Sequence, residues 1–324
     1  MKHLFTLLSI VAMAGLTLGC SGKGDGAVKK AEAPERQGYN DDDNIYDAVH
    51  HPLYGDVESL TIRFYKLWNN SGEHVKGEMY NSYKYTFNQS GDVIERSKYY
   101  SDGSLYNKRL FKYDSAGNNI EITEYSYGSL YSKELYKYDS AGNMTEEARY
   151  LFNGSLQYKH HYIYDSEGNM LEKTWYNSDG NLDDKWLYKY DTAGNMIEET
   201  WYNSDGSLHF KTLYKHDTAG KMIKKTNYNS DGSLYGSELY EYDSAGNMIE
   251  AVRLFADGSL WQKELYEYDS AGNKIKYAKY DSNESLDGKI LYKYDSKGNV
   301  VEQKSFEGKV TPKKLVEFEI VYRD

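Results

Sequence analysis

The chain has 324 residues and a net charge of −11, and it is rich in tyrosine (36) and glycine (28) but poor in proline (3). A negatively charged chain without a basic stripe argues against nucleic acid as a partner and against electrostatic docking on anionic lipid. A single cysteine excludes a fold that depends on internal disulfides.

The N-terminus predicts export. Lys2 and His3 precede an almost wholly apolar run, residues 4–18. This pattern is typical of a secretory signal peptide and is too short for a comfortable membrane span. We therefore assign residues 1–19 to a signal peptide.

Cys20 closes this segment. The run Leu-Thr-Leu-Gly-Cys at residues 16–20 resembles the lipobox of bacterial lipoproteins. The resemblance implies that Cys20 is acylated and that the protein is a membrane-anchored lipoprotein of the bacterial cell envelope. The alternative is an ordinary signal peptide cut near Gly19, but an unpaired cysteine in an oxidising compartment favours lipidation. Ser21 is compatible with sorting to the outer membrane.

Two segments separate the cysteine from the repeats. Residues 20–45 are rich in Gly, Ser, Lys, Ala and Glu and lack apolar periodicity, which predicts a flexible tether. Residues 46–86 contain one strand-like run, residues 57–65, and predict an irregular N-terminal cap.

Self-similarity dominates residues 87–308. A block reading Tyr-Asp-Ser-Ala-Gly-Asn, or a close variant, recurs every 26 residues and once after 25; its copies begin at Phe87, Tyr113, Tyr138, Tyr164, Tyr190, His216, Tyr242, Tyr268 and Tyr294. A second block, Asn-Ser-Asp-Gly-Ser-Leu, alternates with it, with its aspartates at Asp102, Asp179, Asp205, Asp231 and Asp257. A fixed period in this range indicates a stacked repeat architecture.

Both blocks carry the same turn chemistry. Asn or Asp, then Ser or Thr, and finally Gly suit a type I turn followed by a left-handed glycine. The segments between the turns have the length and the Tyr, Leu, Ile and Thr content of strands. We therefore predict an all-β fold, an extended antiparallel meander of about nine hairpin repeats that twists or coils. Residues 309–324 predict a C-terminal capping strand, with Lys313 and Lys314 blunting its edge.

Counting alternate residues from the turn glycines predicts two faces. An aromatic face then holds Met196, Glu198, Thr200 and Tyr202 together with Leu208, Phe210, Thr212 and Tyr214. The cross-strand neighbours predicted in this way are Tyr190 with Met196, Tyr202 with Leu208, Ile197 with Leu213, Glu199 with Lys211, and Lys185 with Trp201.

The Tyr-Asp-x-x-Gly-Asn block is similar to the YD repeat of RHS proteins, and the resemblance covers roughly residues 85–300. It implies a spiralling antiparallel sheet, often at the cell surface, with carbohydrate or protein binding as a use. Large RHS proteins enclose a C-terminal toxin, whereas this sequence continues for about 25 residues after its last Tyr-Asp block. The Tyr/Gly-rich second block also has some likeness to MORN-like repeats.

The candidate binding surface lies in the central repeats. Glutamates recur on the predicted aromatic face at Glu146, Glu172, Glu198 and Glu250. Trp186 is predicted on that face, and Trp175 and Trp201 on the opposite one. Aromatic side chains beside carboxylates suit a glycan or protein contact, so the surface comprises Trp175, Trp186, Trp201, Tyr188, Tyr202, Tyr214, Glu172 and Glu198. A purely structural role for the glutamate row is the alternative.

No catalytic or metal-binding pattern stands out. The turn aspartates, as at Asp179 and Asp183, lack a closing glutamate for a calcium loop, and turn formation explains them. The histidines are scattered, with doublets at 50–51 and 160–161 and single copies at 209 and 216. We therefore predict no metal site, no cofactor and no catalytic residue.

These patterns favour a non-enzymatic envelope lipoprotein, a repeat scaffold that binds glycan or protein through its aromatic face. The second hypothesis is a structural spacer whose copies assemble with one another. The third is a glycosidase-like enzyme, which would need two uniquely placed carboxylates where the sequence offers only recurring ones.

Overall fold

A computed structural model describes residues 53–323. The predicted signal peptide, the lipidation site Cys20, the tether and the first part of the cap lie outside the described residues. Within them every regular element is a β-strand, and no helix is long and apolar enough to cross a membrane.

Twenty strands follow one another along the chain. Their bounds are β1 (Val57–Asn70), β2 (Glu73–Phe87), β3 (Val93–Tyr100), β4 (Leu105–Tyr113), β5 (Asn119–Ser126), β6 (Ser129–Tyr138), β7 (Met144–Leu151), β8 (Leu156–Tyr164), β9 (Met170–Tyr176), β10 (Leu182–Tyr190), β11 (Met196–Asn203), β12 (Leu208–His216), β13 (Met222–Asn229), β14 (Leu234–Tyr242), β15 (Met248–Phe255), β16 (Leu260–Tyr268), β17 (Lys274–Tyr280), β18 (Leu286–Tyr294), β19 (Val300–Glu307) and β20 (Thr311–Tyr322).

Each strand pairs antiparallel with its neighbour in sequence, and β20 pairs with β1. The predicted antiparallel hairpin meander is thus confirmed, but the prediction of an open, coiled sheet is wrong. The sheet closes into a barrel in which every strand has two partners. Closure leaves no edge strand, so Lys313 and Lys314 blunt no sheet edge.

The turns have the predicted chemistry. In the turn after β10, the amide of Gly194 donates to the carbonyl of Asp191 at 3.1 Å, and the amide of Asp191 donates to the carbonyl of Asn195 at 2.9 Å. Gly194 has a φ of +83°, which glycine adopts without steric cost. These bonds define a type I turn followed by a left-handed glycine.

Turns of the Tyr-Asp blocks line one rim of the barrel, which we call the YD rim. The turns of the second block, together with the β1–β2, β5–β6 and β19–β20 turns, line the other, which we call the opposite rim.

Each repeat hairpin carries an extra residue in the strand that follows its turn. Tyr190 pairs with Met196, but the next pair is Lys189 with Glu198, so Ile197 forms a β-bulge. At the YD rim the extra residue is usually aliphatic, and it recurs at Ile94, Ile120, Thr145, Leu171, Ile197, Ile223, Ile249, Ile275 and Val301.

The bulges correct the predicted register. The pairs next to the turns, Tyr190 with Met196 and Tyr202 with Leu208, are confirmed. Beyond each bulge the predicted pairs are wrong by one residue: the structure pairs Glu198 with Leu213, Thr200 with Lys211, Lys185 with Tyr202 and Trp186 with Trp201. Because side chains alternate along a strand, one extra residue exchanges the two faces.

The strand pairing assigns each side chain to one of two faces, and both faces continue around the whole barrel. One face holds large buried side chains such as Trp186 (2% exposed), Tyr83 (2%) and Phe64 (0%). The other holds lysines whose side chains stay exposed, such as Lys137 (68%) and Lys189 (66%). Closure crowds side chains on the concave side of a barrel and spreads them on the convex side. The face of Trp186 is therefore the inner face.

The barrel closes at a seam between β1 and β20. The predicted cap, residues 46–86, contributes β1 and most of β2, whose inner residues Leu60, Ile62 and Phe64 join a hydrophobic core with Val316 and Phe318 of β20. The predicted C-terminal capping strand is β20 itself.

A side-chain clasp reinforces the seam at the YD rim. Asn299 accepts a hydrogen bond from the amide of Tyr54 at 2.6 Å and donates to the hydroxyl of Tyr322 at 2.8 Å. The Arg323 guanidinium donates to the carbonyls of Phe87 and Asn88, both at 2.6 Å.

Candidate functional site

The outer face is regular. Glu146, Glu172, Glu198 and Glu250 lie here, not on the aromatic face as the sequence predicted, because the bulges reverse the alternation. Each is held by lysine; the carboxylate of Glu198 lies 2.8 Å from the Lys189 ammonium and 2.7 Å from that of Lys211. The bonds to the lysines hold the pKa of Glu198 below its ordinary value. This row is an ion-pair belt.

The inner face changes from repeat to repeat. Five residues after the glycine of each Tyr-Asp block stand Arg96, Ile122, Glu147, Lys173, Glu199, Lys225, Ala251, Tyr277 and Gln303. Two residues further on stand Lys98, Glu124, Arg149, Trp175, Trp201, Asn227, Arg253, Lys279 and Ser305. If these positions served packing alone, similar residues would be expected at the same position of every repeat. The inner face therefore holds the position-specific side chains of this barrel.

An aromatic stack occupies the inner face of β10–β12, near the opposite rim. The rings of Trp186 and Trp201 are stacked, with centroids 5.5 Å apart and an interplanar angle of 21°. The His209 imidazole lies on Trp201, with centroids 3.8 Å apart. Trp201 Nε1 donates to Asp184 at 2.8 Å, and Asn203 Oδ1 lies 2.9 Å from His209 Nδ1. We call Trp186, Trp201 and His209 the tryptophan stack.

The stack runs from buried to exposed. Trp186 is buried, Trp201 is half-buried, and His209, the extra residue of its bulge, is exposed. Phe210 is half-buried and is the cross-strand partner of Trp201. The accessible end of the stack is therefore a planar aromatic surface at the opposite rim, with Asn203 at its edge.

A half-buried cation lies under the stack. The Lys173 ammonium lies 5.1 Å from the Trp186 ring centroid and 5.9 Å from that of Tyr162. Burial lowers the pKa of Lys173, while the charges of Glu147 and Glu199 act to raise it. A cation over the electron-rich face of an indole is held electrostatically.

Two buried carboxylates flank this cation. Glu199 accepts a hydrogen bond from the Tyr214 hydroxyl at 2.7 Å. Burial raises the pKa of Glu199, and the bond from Tyr214 acts against that rise. Glu147 accepts hydrogen bonds from the hydroxyls of Tyr158 and Tyr162, both at 3.1 Å. Burial lowers the pKa of His160, which lies 3.4 Å from Glu147.

The predicted binding surface is divided between the two faces. Trp175, Trp186, Trp201, Tyr188 and Tyr214 lie on the inner face, whereas Tyr202, Glu172 and Glu198 lie on the outer face. The placement of Trp175 and Trp201 opposite to Trp186 was therefore wrong. Trp186 and Tyr188 are buried and cannot contact a ligand directly.

The sequence did not reveal a buried charge cluster on β4–β7. Glu134, 1% exposed, lies 3.1 Å from Arg109 and 3.0 Å from Arg149. Arg149 also lies 3.2 Å from Glu124. The sequence did contain a signal: Glu134 and Arg149 occupy the repeat positions that Trp186 and Trp201 occupy in a later repeat. Because the sequence did not reveal the bulges, these positions could not be assigned to the same face.

Within residues 53–323, no group of three or more His, Cys, Asp and Glu side chains is placed to hold a metal ion. The turn aspartates brace their own loops: Asp191 accepts hydrogen bonds from the amides of Ala193 and Asn195, both at 2.9 Å. The structure thus shows the turn-forming role at Asp191, whereas at the turn that contains Asp179 the accepting side chain is that of Asn177.

No protein-family model matches this sequence, and no curated protein matches it as a relative. Among solved structures, the chain is similar over 78% of its length to a TcdB2–TccC3–Cdc42 complex, with 12% identity and a TM-score of 0.30. It spans only 19% of that toxin chain.

Two porin-like proteins are also similar over 82% of this chain and 98% of their own. The protein from Bacteroides uniformis has 8% identity and a TM-score of 0.37, and the one from Bacteroides vulgatus has 10% identity and a TM-score of 0.28. At these values none of the likenesses bears on function, and the fold rests on the strand pairing.

Proposed function

We propose that this chain is a non-enzymatic binding scaffold of the bacterial cell envelope, which holds a glycan or protein ligand at the accessible end of the tryptophan stack. The observation that carries the proposal is the contrast between the faces. The outer face repeats, whereas the inner face differs at each repeat and places Trp201, Phe210 and His209 together at a rim.

The resemblances in the sequence support the location. A lipobox-like Cys20 and an RHS/YD-type repeat are both typical of envelope proteins. The outer face alternates lysine and glutamate, as in Lys137, Glu146 and Lys159, and such a surface suits contact with water. We therefore propose that attachment to the membrane is through lipid on Cys20. Cys20→Ser is expected to move the chain from the membrane fraction to the soluble fraction; retention in the membrane would exclude a lipid anchor on Cys20.

The structure lends the other hypotheses less support. A spacer that assembles through sheet edges would need an open edge, and the ring of strands β1–β20 has none. A glycosidase needs an accessible carboxylic acid that is protonated at working pH. Lysine contacts keep the pKa of Glu146 and Glu198 below the ordinary value, so these two glutamates of the outer ion-pair belt stay ionised. Burial raises the pKa of Glu199, but that carboxyl is only 8% exposed.

The test is binding of purified protein to a glycan array and to immobilised envelope extract. Trp201→Ala and His209→Ala are each expected to weaken binding about tenfold or more, because both rings form the accessible surface. Trp261→Ala is the matched control, since Trp261 is an exposed aromatic residue at the bulge position equivalent to His209 two repeats later. Equal binding by all variants would refute this site, and no binding to any probe would refute the proposal.

A further inference from the structure

Three tyrosines meet on the opposite rim, at the turns β3–β4 and β5–β6. Tyr106 packs edge-to-face against Tyr100 and Tyr127, with ring centroids 5.2 and 5.4 Å apart. The hydroxyls of Tyr100 and Tyr127 are hydrogen-bonded at 2.9 Å. Tyr127 is 67% exposed and Tyr100 is 40% exposed. We call these three residues the tyrosine cluster; it is separated from the tryptophan stack by β7–β9.

The backbone of Tyr127 is strained. The β5–β6 turn has a two-residue loop, Tyr127-Gly128, where the other repeats have three residues, and Tyr127 has a φ of +49°. The left-handed region costs an aromatic residue about 1–2 kcal/mol relative to glycine, and Asn-Gly or Gly-Gly are the usual choices at such turns. Tyrosine is therefore not the residue that the turn conformation itself favours at this position. Strain of this kind accumulates at functional positions.

The rings and hydroxyls of the cluster are polar but uncharged, and one carboxylate and one ammonium lie beside them. The hydrogen bond with Tyr127 raises the pKa of Tyr100 to about 12, so that phenol is neutral at physiological pH. The nearby Asp102 carboxylate is already bonded to the amide and hydroxyl of Ser104, at 2.8 and 2.6 Å. Lys98 lies 5.2 Å from the Tyr106 ring centroid. The exposed ring of Tyr127 and the paired hydroxyls therefore form an aromatic surface that carries no charge of its own.

The tyrosine cluster and the side-chain clasp of the seam lie at opposite ends of the barrel. Tyr54 is bonded to Asn299 at the YD rim, and the tyrosine cluster lies on the opposite rim.

We propose that the tyrosine cluster binds a neutral saccharide. The exposed Tyr127 ring offers a flat apolar surface for the C–H face of a pyranose, and the paired hydroxyls can donate to and accept from sugar hydroxyls. A net charge of −11 disfavours an anionic polymer at this surface. This site is independent of the tryptophan stack, so each can fail without the other.

The experiment is affinity electrophoresis of the full chain in gels containing dextran, mannan or galactomannan, with polygalacturonate as the anionic comparison. Wild-type protein is expected to be retarded by at least one neutral polymer. Tyr127→Asn is expected to weaken that retardation about tenfold, because it removes the ring. Asparagine is favoured at this turn, so the variant keeps the fold and relieves strain. Tyr127→Phe keeps the ring and is expected to have a smaller effect.

Phe255→Ala is the matched control, because Phe255 is an exposed aromatic side chain at a second-block turn of a later repeat. Its binding is expected to equal that of wild type. The proposal is overturned if Tyr127→Asn binds as well as wild type, if Phe255→Ala loses as much as Tyr127→Asn, or if only polygalacturonate binds. It is also overturned if no polymer retards the wild-type protein. The same holds if Tyr127→Asn abolishes binding to a protein from an envelope extract but leaves saccharide binding unchanged.

Discussion

At the scale of single residues, the structure explains each member of the Tyr-Asp-x-x-Gly-Asn block. The aspartate and asparagine brace their own turn, as when Asp191 accepts hydrogen bonds from the amide and the side chain of Asn195, both at 2.9 Å. The tyrosine ties one hairpin to the next, since the Tyr190 hydroxyl donates to the carbonyl of Met170 at 2.9 Å. The same bond joins Tyr164 to Met144 and Tyr242 to Met222. The block is a structural unit.

The turn aspartates predict a fall in stability at acid pH. Bonds from Asn195 and its equivalents hold the pKa of Asp191, Asp114 and Asp139 below the ordinary value of 3.8. A carboxylate with a depressed folded-state pKa stabilises the fold above its unfolded pKa and loses that contribution as pH falls through the folded value. The unfolding temperature is therefore expected to drop as pH falls below about 4.

A neutral replacement provides the control. Asn177 occupies the same turn position and still accepts amide hydrogen bonds, from Asp179 at 3.0 Å and Asn181 at 3.1 Å. A variant with Asp114→Asn, Asp139→Asn and Asp191→Asn is expected to show a smaller fall in unfolding temperature between about pH 5 and pH 3, the range around the ordinary pKa of aspartate. An unchanged pH dependence in this variant would show that other carboxylates govern the effect.

At the scale of hairpins, the sequence predicted the strands and turns but not the faces. Turn type depends on a few adjacent residues, and Asp, Ser and Gly specify it locally. The spacing of the residues does not reveal whether Ile197 has a cross-strand partner or is left unpaired as a bulge. The bulge places Glu199 and Trp201 on the inner face with Trp186. It also places Glu198 on the outer face beside Lys189 and Lys211, where its carboxylate forms two ion pairs.

Inserting one alanine after Ile197 tests this account. A second extra residue shifts the register beyond the bulge, turns Glu199 and Trp201 outward and separates Glu198 from its two lysines. The stability of the barrel is expected to fall by roughly 3 kcal/mol or more, because the inner stack is lost and polar groups are misplaced. Ile197→Ser keeps the bulge and changes one partly exposed side chain, so a change within about 0.5 kcal/mol is expected. Equilibrium urea unfolding measures both; similar losses would show that the bulge does not set the register.

At the scale of the whole molecule, closure could not be read from the repeat. It depends on β1, the first part of β2 and β20, which lack the Tyr-Asp block and pair across the full length of the chain, as in Leu60 with Ile320. The local signal in this region was a strand-like run and a terminal strand. Whether the ends of such a sheet meet depends on twist and curvature summed over twenty strands, and no single repeat encodes that sum.

The clasp at the seam gives the last prediction. Arg323 donates to the Phe87 and Asn88 carbonyls and pairs with Asp56, whose side chain is exposed. An exposed ion pair contributes little to stability, so most of the stabilisation by Arg323 is expected from its hydrogen bonds to the two carbonyls. Arg323→Ala is expected to destabilise the seam by about 2 kcal/mol. Amide hydrogen exchange should accelerate in β1 and β20 and stay unchanged in β10–β12, since local opening depends on local contacts.

A control for this variant lies on the same seam. Arg63→Ala removes a pair between β1 and β20, in which the Arg63 guanidinium lies 2.6 Å from Glu319, but both side chains are substantially exposed. A loss of no more than about 1 kcal/mol is expected there. If Arg323→Ala and Arg63→Ala have equal effects, or if exchange rises evenly around the ring, then the clasp does not hold the barrel closed. If the clasp does hold the barrel closed, Arg323→Ala should instead open first between β1 and β20.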